Sequence, residues 1–264
     1  FEHGLLAGLA YSGLSLVTGG WWVKDPMPAH AGHERMEKLA ELKAGTNFKD
    51  PAGKPTSRYA VRALIDGAAG ELSPEATPWA QNYLRIPLTP PSNNYPAHDA
   101  SVADLDGDGE YEIILKWDPN DAKDNSQSGI TSPVFLDALK LDGKRLWRID
   151  LGPNIRAGAH YTQFIVFDLD GDGIAELGVK TAPGSKAGDG RFLALGPAAS
   201  DDDSAVYRNA DGYVLSGPEY LSVFGGRDGK ELATVAFDVP RGQVSAWGDD
   251  YGNRVDRFLA TAAY

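Results

Sequence analysis

Asp104-Leu105-Asp106-Gly107-Asp108-Gly109-Glu110-Tyr111-Glu112 runs without a break into Ile113-Ile114-Leu115-Lys116-Trp117. The acids at loop positions 1, 3 and 5 can fold inward around one point, and glycine at positions 4 and 6 lets the backbone turn sharply between them. Position 7, Glu110, can add a carbonyl oxygen, and position 9, Glu112, a further carboxylate. Such a set suits calcium, which takes about six to eight oxygens in a flexible cage, better than magnesium, which keeps several waters and demands strict octahedral geometry. An EF-hand places its bidentate Glu at about position 12 between two helices; here the acid comes earlier and a strand follows.

A single acidic turn can be a surface feature and nothing more. The chain repeats the pattern 64 positions on, where Asp168-Leu169-Asp170-Gly171-Asp172-Gly173-Ile174-Ala175-Glu176 leads into Leu177-Gly178-Val179-Lys180. Two Ca2+ ligand sets are therefore expected: Asp104, Asp106, Asp108, Glu110 and Glu112, then Asp168, Asp170, Asp172, Ile174 and Glu176. Their main effect is expected on stability, because without metal the acids crowd into one turn and repel.

After each loop come an apolar run, an Asp-Gly-Lys turn and another strand. The turns are Asp142-Gly143-Lys144 and Asp228-Gly229-Lys230, 86 positions apart. A Gly- and Asp-rich insertion around Ala187 to Gly217 explains the larger offset, and a long loop inside a repeat commonly projects and binds. Repeats of several strands each read as blades of a β-propeller. A third blade is expected to open at Trp247-Gly248-Asp249-Asp250-Tyr251-Gly252-Asn253-Arg254-Val255-Asp256, ahead of Phe258-Leu259-Ala260. There Asp249, Asn253 and Asp256 are candidates for a third ion, the alternative being a turn with a buried Asp-Arg pair. A propeller needs more blades than this, so the missing ones belong to a longer protein or to a partner chain in an assembly.

The fold class is thus all-β, with residues 81–264 as first propeller blades and 1–80 as a small β-rich unit. In the latter, Tyr59-Ala60-Val61-Arg62-Ala63-Leu64-Ile65 alternates and ends at Asp66-Gly67, a hairpin signal. Glu34 to Lys43 is the best helical candidate. Pro74 to Trp79 reads as a linker, and Phe1 to Gly20 as mature β-rich sequence rather than a signal peptide.

The net charge of −12 argues against nucleic acid as a partner and fits a protein that carries cations. The chain has no cysteine, which removes disulfides and thiol chemistry. No stretch is apolar for long enough to span a membrane. No nucleophile elbow or phosphate-binding loop occurs, and His30-Ala31-Gly32-His33-Glu34 lacks the spacing of a helix-borne zinc motif.

Asp99-Ala100-Ser101-Val102-Ala103-Asp104, on through Lys116-Trp117-Asp118-Pro119, resembles the rhamnogalacturonan lyases of polysaccharide lyase family eleven. So do Lys123-Asp124-Asn125-Ser126, Leu146-Trp147-Arg148-Ile149-Asp150-Leu151-Gly152 and Asn154-Ile155-Arg156-Ala157-Gly158-Ala159-His160-Tyr161-Thr162-Gln163-Phe164. The resemblance is dense from about Asn82 to Tyr264 and thinner from Gly45 to Trp79. It implies a fibronectin-like N-terminal β domain, an eight-bladed propeller with several calcium ions, and secretion. It also implies β-elimination in the rhamnogalacturonan I backbone of pectin, next to galacturonic acid, by an endolyase.

On that resemblance His98 and Asp118 correspond to substrate-cleft positions, with His98 where the family usually shows Asn, and Asp99 lies near the active-site calcium. Arg156 and His160 are further candidates for substrate contact, since Arg can pair with a uronate in a fork geometry. Their alternatives are a solvated loop histidine, a turn-capping Asp before Pro119, and a network of structural hydrogen bonds. Lys116 and Lys180 fall at equivalent repeat positions, which favours a structural job. No catalytic base is nominated. A non-catalytic calcium-stabilised propeller that binds carbohydrate or protein is the alternative function, as is an inactive lyase fragment.

Overall fold

A computed structural model describes residues 36–42, 48–81 and 83–262, and the backbone of 20–24. The readings of residues 1–19 and of His30–Glu34 lie outside it. The chain divides into two compact units, Phe1–Arg85 and Ile86–Tyr264. Among the described residues no helix is long and apolar enough to cross a membrane.

The first unit holds an antiparallel sheet of β1 (Gly20–Lys24), β2 (Glu37–Leu42), β3 (Tyr59–Ile65) and β4 (Ala68–Ala69), in the order β2-β1-β3-β4. The hairpin expected after Ile65 is present: Asp66 and Gly67 both take positive φ, 50° and 80°, which closes a two-residue turn whose twist matches the strands. The helix expected over Glu34–Lys43 is corrected. Glu37–Leu42 is a strand, paired with β1 from Gly20↔Leu42 to Lys24↔Glu37. The segment is short and uncapped, so pairing along a whole neighbouring strand outweighs its weak helical preference. The expected linker begins inside this unit, where Ala76 and Tyr59 exchange backbone hydrogen bonds of 2.8 and 2.9 Å.

The second unit contains two four-stranded antiparallel sheets. One holds β5 (Ala97–Ala103), β6 (Glu112–Trp117), β7 (Phe135–Leu139) and β8 (Arg145–Asp150). The other holds β9 (Phe164–Phe167), β10 (Glu176–Thr181), β11 (Tyr220–Phe224) and β12 (Glu231–Ala236). Each strand pairs with the next in sequence. The continuous apolar runs of β6 and β10 are buried nearly throughout, as inner strands covered on both faces should be. Ile114, Leu136, Ile149, Leu177 and Phe224 are fully buried in a core both sheets share. Each such side chain contributes about 1.5–3 kcal/mol through removal from water.

A polar rung crosses each sheet at the same register. In the first, Trp117 Nε1 donates to Asp137 at 2.9 Å, and Arg148 forks onto both oxygens of Asp137 at 2.6 and 2.7 Å. In the second, the hydroxyls of Thr181, Ser222 and Thr234 link at 2.6 and 2.8 Å. Asp137 and Ser222 are both fully buried, so these bonds are required rather than decorative.

The segment after β12 departs from expectation. Residues 237–262 contain a 3₁₀ turn, Val244–Trp247, and bends, but no strand. Asp249 accepts from the backbone N–H of Asn253 and Arg254 at 3.0 and 2.9 Å, which closes a local turn. The insertion after Ala187 does not project freely either. Asn154 bonds the carbonyl of Ala205 and the N–H of Tyr207, and Arg208 reaches the carbonyl of Thr131, so the loop is fastened to the segment that joins the sheets and to the β6–β7 connection.

Candidate functional site

The two acidic loops are the β5–β6 and β9–β10 connections, and they share a set of hydrogen bonds position for position. In the first, Asp104 accepts from the N–H of Gly107 and Gly109 at 2.6 and 2.9 Å. In the second, Asp168 accepts from Gly171 and Gly173 at 2.7 and 2.9 Å. Glu110 and Ile174 donate their N–H to Asp108 and Asp172, each at 2.8 Å. Glu112 and Glu176 accept from Leu105 and Leu169, again at 2.8 Å. Each glutamate thereby keeps one oxygen turned into the loop.

The residues fit a hard divalent cation. Ligand oxygens of Asp104, Asp106 and Asp108 lie within 4.8 Å of one another, and so do those of Asp168, Asp170 and Glu176. Burial raises the Glu176 carboxyl above its ordinary range, against the Leu169 N–H and with the help of Asp170, Asp172 and Asp168. Glu112 is raised for the same first reason, opposed by Leu105 N–H and Lys140. A buried acid that resists ionising alone is one a cation would relieve.

Lys140 is a residue that sequence reasoning missed. Its ammonium stands 2.6 Å from Asp106, 2.8 Å from Asp108 and 3.0 Å from Glu112. Hydrogen bonds to Asp106 and Asp108 hold it charged well beyond the ordinary lysine range.

A second polar centre lies at the other end of β6. The β5–β6 ladder pairs Ala97 with Trp117 and Ala100 with Leu115, so His98 and Asp99 together oppose Lys116. Such a bulge re-aims side chains. It brings three predicted residues together around a lysine read as merely structural. The fully buried Lys116 ammonium reaches Asp99 at 2.8 Å, the Tyr161 carbonyl at 3.2 Å and Asp118 at 3.5 Å. His98 Nδ1 is 3.2 Å from Asp99 and 3.5 Å from Asp118. Asp118 is 4% exposed, and neither of its oxygens has a hydrogen-bond partner. Burial pushes its carboxyl above the ordinary range despite Lys116 and His98. Asp99 is instead lowered: burial works against it, but the bonded Lys116 and His98 win.

Arg156 makes the structural hydrogen-bond network weighed as the alternative to substrate contact. It is buried, and four hydrogen bonds bind it to backbone carbonyls: Lys123 at 2.9, Gly129 at 2.9, Gly212 at 2.6 and Gln127 at 2.8 Å. Its guanidinium also stacks 5.2 Å over Tyr213. Little of it is left for a sugar. His160 is exposed and bonded through Nδ1 to Asp124, which also holds Arg257. Its neighbour Tyr161 is buried, with its hydroxyl between the Asn125 N–H and Asn253.

The third candidate ion set is shared among other partners. Asp249 closes its turn, Asn253 accepts from Tyr161, and Asp256 is ion-paired with Arg241 at 2.6 Å and Lys180 at 3.1 Å. The buried Asp-Arg pair weighed for this segment describes Asp256.

The chain belongs to rhamnogalacturonan lyase family 11, whose C-terminal domain profile matches residues 86–264. It is 57% identical over 228 residues to the rhamnogalacturonan endolyase YesW of Bacillus subtilis (strain 168), a match covering 83% of this chain and 36% of that protein. It is 52% identical to the rhamnogalacturonan exolyase YesX of the same organism, with the same coverage. The crystal structure of the exotype lyase YesX superposes with a TM-score of 0.76 at 47% identity, covering 93% of this chain and 40% of that one. The chain thus spans little more than a third of the length of the curated relatives it matches.

Proposed function

We propose that the protein to which this chain belongs cleaves the rhamnogalacturonan I backbone of pectin by β-elimination at galacturonic acid. The two consecutive four-stranded meanders support reading the second unit as neighbouring propeller blades, eight in the whole protein, with a fibronectin-like domain ahead of them. The all-oxygen, partly buried ligand sets support calcium. The polymer is too large to enter a cell, so the protein is read as secreted. Endo-type cleavage is the mode named for the relative of higher identity.

One observation in this chain carries the substrate reading: the buried carboxylate of Asp118 has two oxygens without hydrogen-bond partners. A buried carboxylate left so is costly, and sugar hydroxyls are suitable donors for it. Lys116 offsets part of that cost and fixes Asp99 beside it. His98 turns Nδ1 toward the same side chains, which leaves its other ring nitrogen to donate to, or accept from, a sugar oxygen. In the elimination a base takes the C5 proton, alpha to the uronate carboxylate, and the C4 oxygen bearing rhamnose departs. A calcium ion, which Asp99 would help to hold, would supply positive charge against the negative charge that develops on the uronate. The base is not assigned to a residue of this chain.

The test is incubation of the whole protein with rhamnogalacturonan I. Unsaturated uronate ends, read by ultraviolet absorbance, are expected with calcium and not after chelation. Polygalacturonan, which lacks rhamnose, should yield none. Binding of the polymer without any unsaturated product would favour the non-catalytic module instead. A rapid fall in viscosity distinguishes endo from exo action.

A further inference from the structure

The geometry points to unequal acidic loops: Lys140 is a built-in counter-ion of the first loop and competes there with the divalent ion, while the second loop has no such rival. This rests on the calcium reading of both loops and goes beyond it.

Lys140 follows the last residue of β7. Its backbone N–H bonds the Lys144 carbonyl at 2.9 Å across the Asp142–Gly143 turn. That turn sets where the side chain starts, and the ammonium ends among Asp106, Asp108 and Glu112. These are acids that a metal would need. Glu112 is fully buried and cannot turn away to water. Lys140 therefore sets one positive charge against three of the carboxylates that define the cage, and donates a hydrogen bond to Asp108 at 2.8 Å.

The second loop is built on the same plan with one difference. Gly225 bonds the Lys230 carbonyl at 2.9 Å, which makes it the counterpart of Lys140. It has no side chain. Among the described residues, no lysine or arginine pairs with Asp168, Asp170, Asp172 or Glu176. One loop holds its own cation and the other does not.

An ion entering the first loop must displace the ammonium, since two cations cannot share these oxygens. If Lys140 fills the cage nine-tenths of the time, apparent affinity falls about tenfold, because only the open fraction binds. The second loop carries no such penalty and fills first.

Site-resolved occupancy decides the matter. Crystals of the whole protein, equilibrated at graded calcium concentrations, are expected to show the second loop half-filled at a concentration about tenfold below the first. In Lys140→Gln the two loops should fill together, while Lys144→Gln, which removes an exposed lysine nearby, should change nothing. Equal filling in the native chain, with Lys140 turned outward, overturns the proposal and leaves the calcium reading intact. So does a Lys140→Gln protein whose first loop still lags. Neither loop filling at saturating calcium overturns both. The native ranking stands as a test even if the variant fails to fold.

Discussion

The backbone N–H of Ala175 donates to the carbonyl oxygen of Asp104 at 2.8 Å, so the eighth residue of one acidic loop is fastened to the first residue of the other. Gly226 fits the same seam: a Cβ there would collide with the carbonyl oxygens of Ala175 and Leu105. The loops are one structural unit, and what loosens one is felt by its neighbour.

Chelation is expected to lower the melting temperature of the protein, followed by calorimetry. A site filled to about 100 times its dissociation constant adds roughly 2.7 kcal/mol. Asp168→Asn should reproduce part of the loss in the presence of calcium and shrink the further drop on chelation. Unchanged melting in chelator would sink the calcium reading.

Arg156→Lys should destabilise the fold by about 3 kcal/mol or more, because a lysine cannot serve four separated carbonyls with one ammonium. Denaturant midpoints measure this. The variant's KM, at temperatures where it stays folded, should match the native value. A large KM change with unaltered stability would restore Arg156 as a substrate contact.

The paired acids beside Lys116 should respond to pH in opposite directions. The folded state raises Asp118 above its unfolded value of 3.8, so it binds that proton more tightly and stability falls as pH rises through the raised value. Asp118→Asn should therefore be more stable than the native protein near neutrality, with the advantage disappearing in acid. Asp99 is lowered, so its contribution is present at neutral pH and lost as pH falls through the depressed value. Asp99→Asn should destabilise near neutrality. On activity, Asp118→Asn loses a charged hydrogen bond to substrate worth about 1.5–3 kcal/mol. Thermal melts across pH and KM measurements check both.

Two glycines with nearly the same backbone should behave differently. Gly143 has φ 86° and lies against the Pro87 carbonyl, whereas Gly190 has φ 80° and open space around it. Gly190→Ala should cost about 1–2 kcal/mol, the strain of a left-handed alanine. Gly143→Ala adds a collision with backbone and should cost about 3 kcal/mol or more. Similar losses at the two positions would show that the Pro87 contact yields easily.

What the sequence revealed was local. Both acidic loops, the Asp66–Gly67 hairpin and the two Asp-Gly-Lys turns depend on residues a few positions apart, and their spacing is visible in one dimension. Glu37–Leu42 was misread because its strand is decided by β1, well upstream. The two readings of Arg156 stay open in the sequence because a guanidinium looks the same whether it faces a uronate or the Gly212 carbonyl 56 residues away. Lys140 went unnoticed because nothing in its neighbourhood signals that β7 delivers it to Asp108, 32 positions earlier. Lys116 was visible as a charge inside an apolar strand. Its partners come from the bulge at His98 and Asp99 and from the Tyr161 carbonyl 45 positions on.

Lys180 occupies in the second sheet the place that Lys116 holds in the first, yet its company is different. It pairs with Glu219 at 2.5 Å and Asp256 at 3.1 Å and lies 5.1 Å from each ring of the edge-to-face pair Phe237 and Phe258. The bulge carboxylate has no counterpart there, since Thr162 and Gln163 stand where the first sheet has His98 and Asp99. The two repeats are therefore not interchangeable cassettes. A chimera that duplicated the second in place of the first would import an ammonium together with Glu219 but leave Asp256 behind, and engineering by module exchange must carry Asp256 along with it.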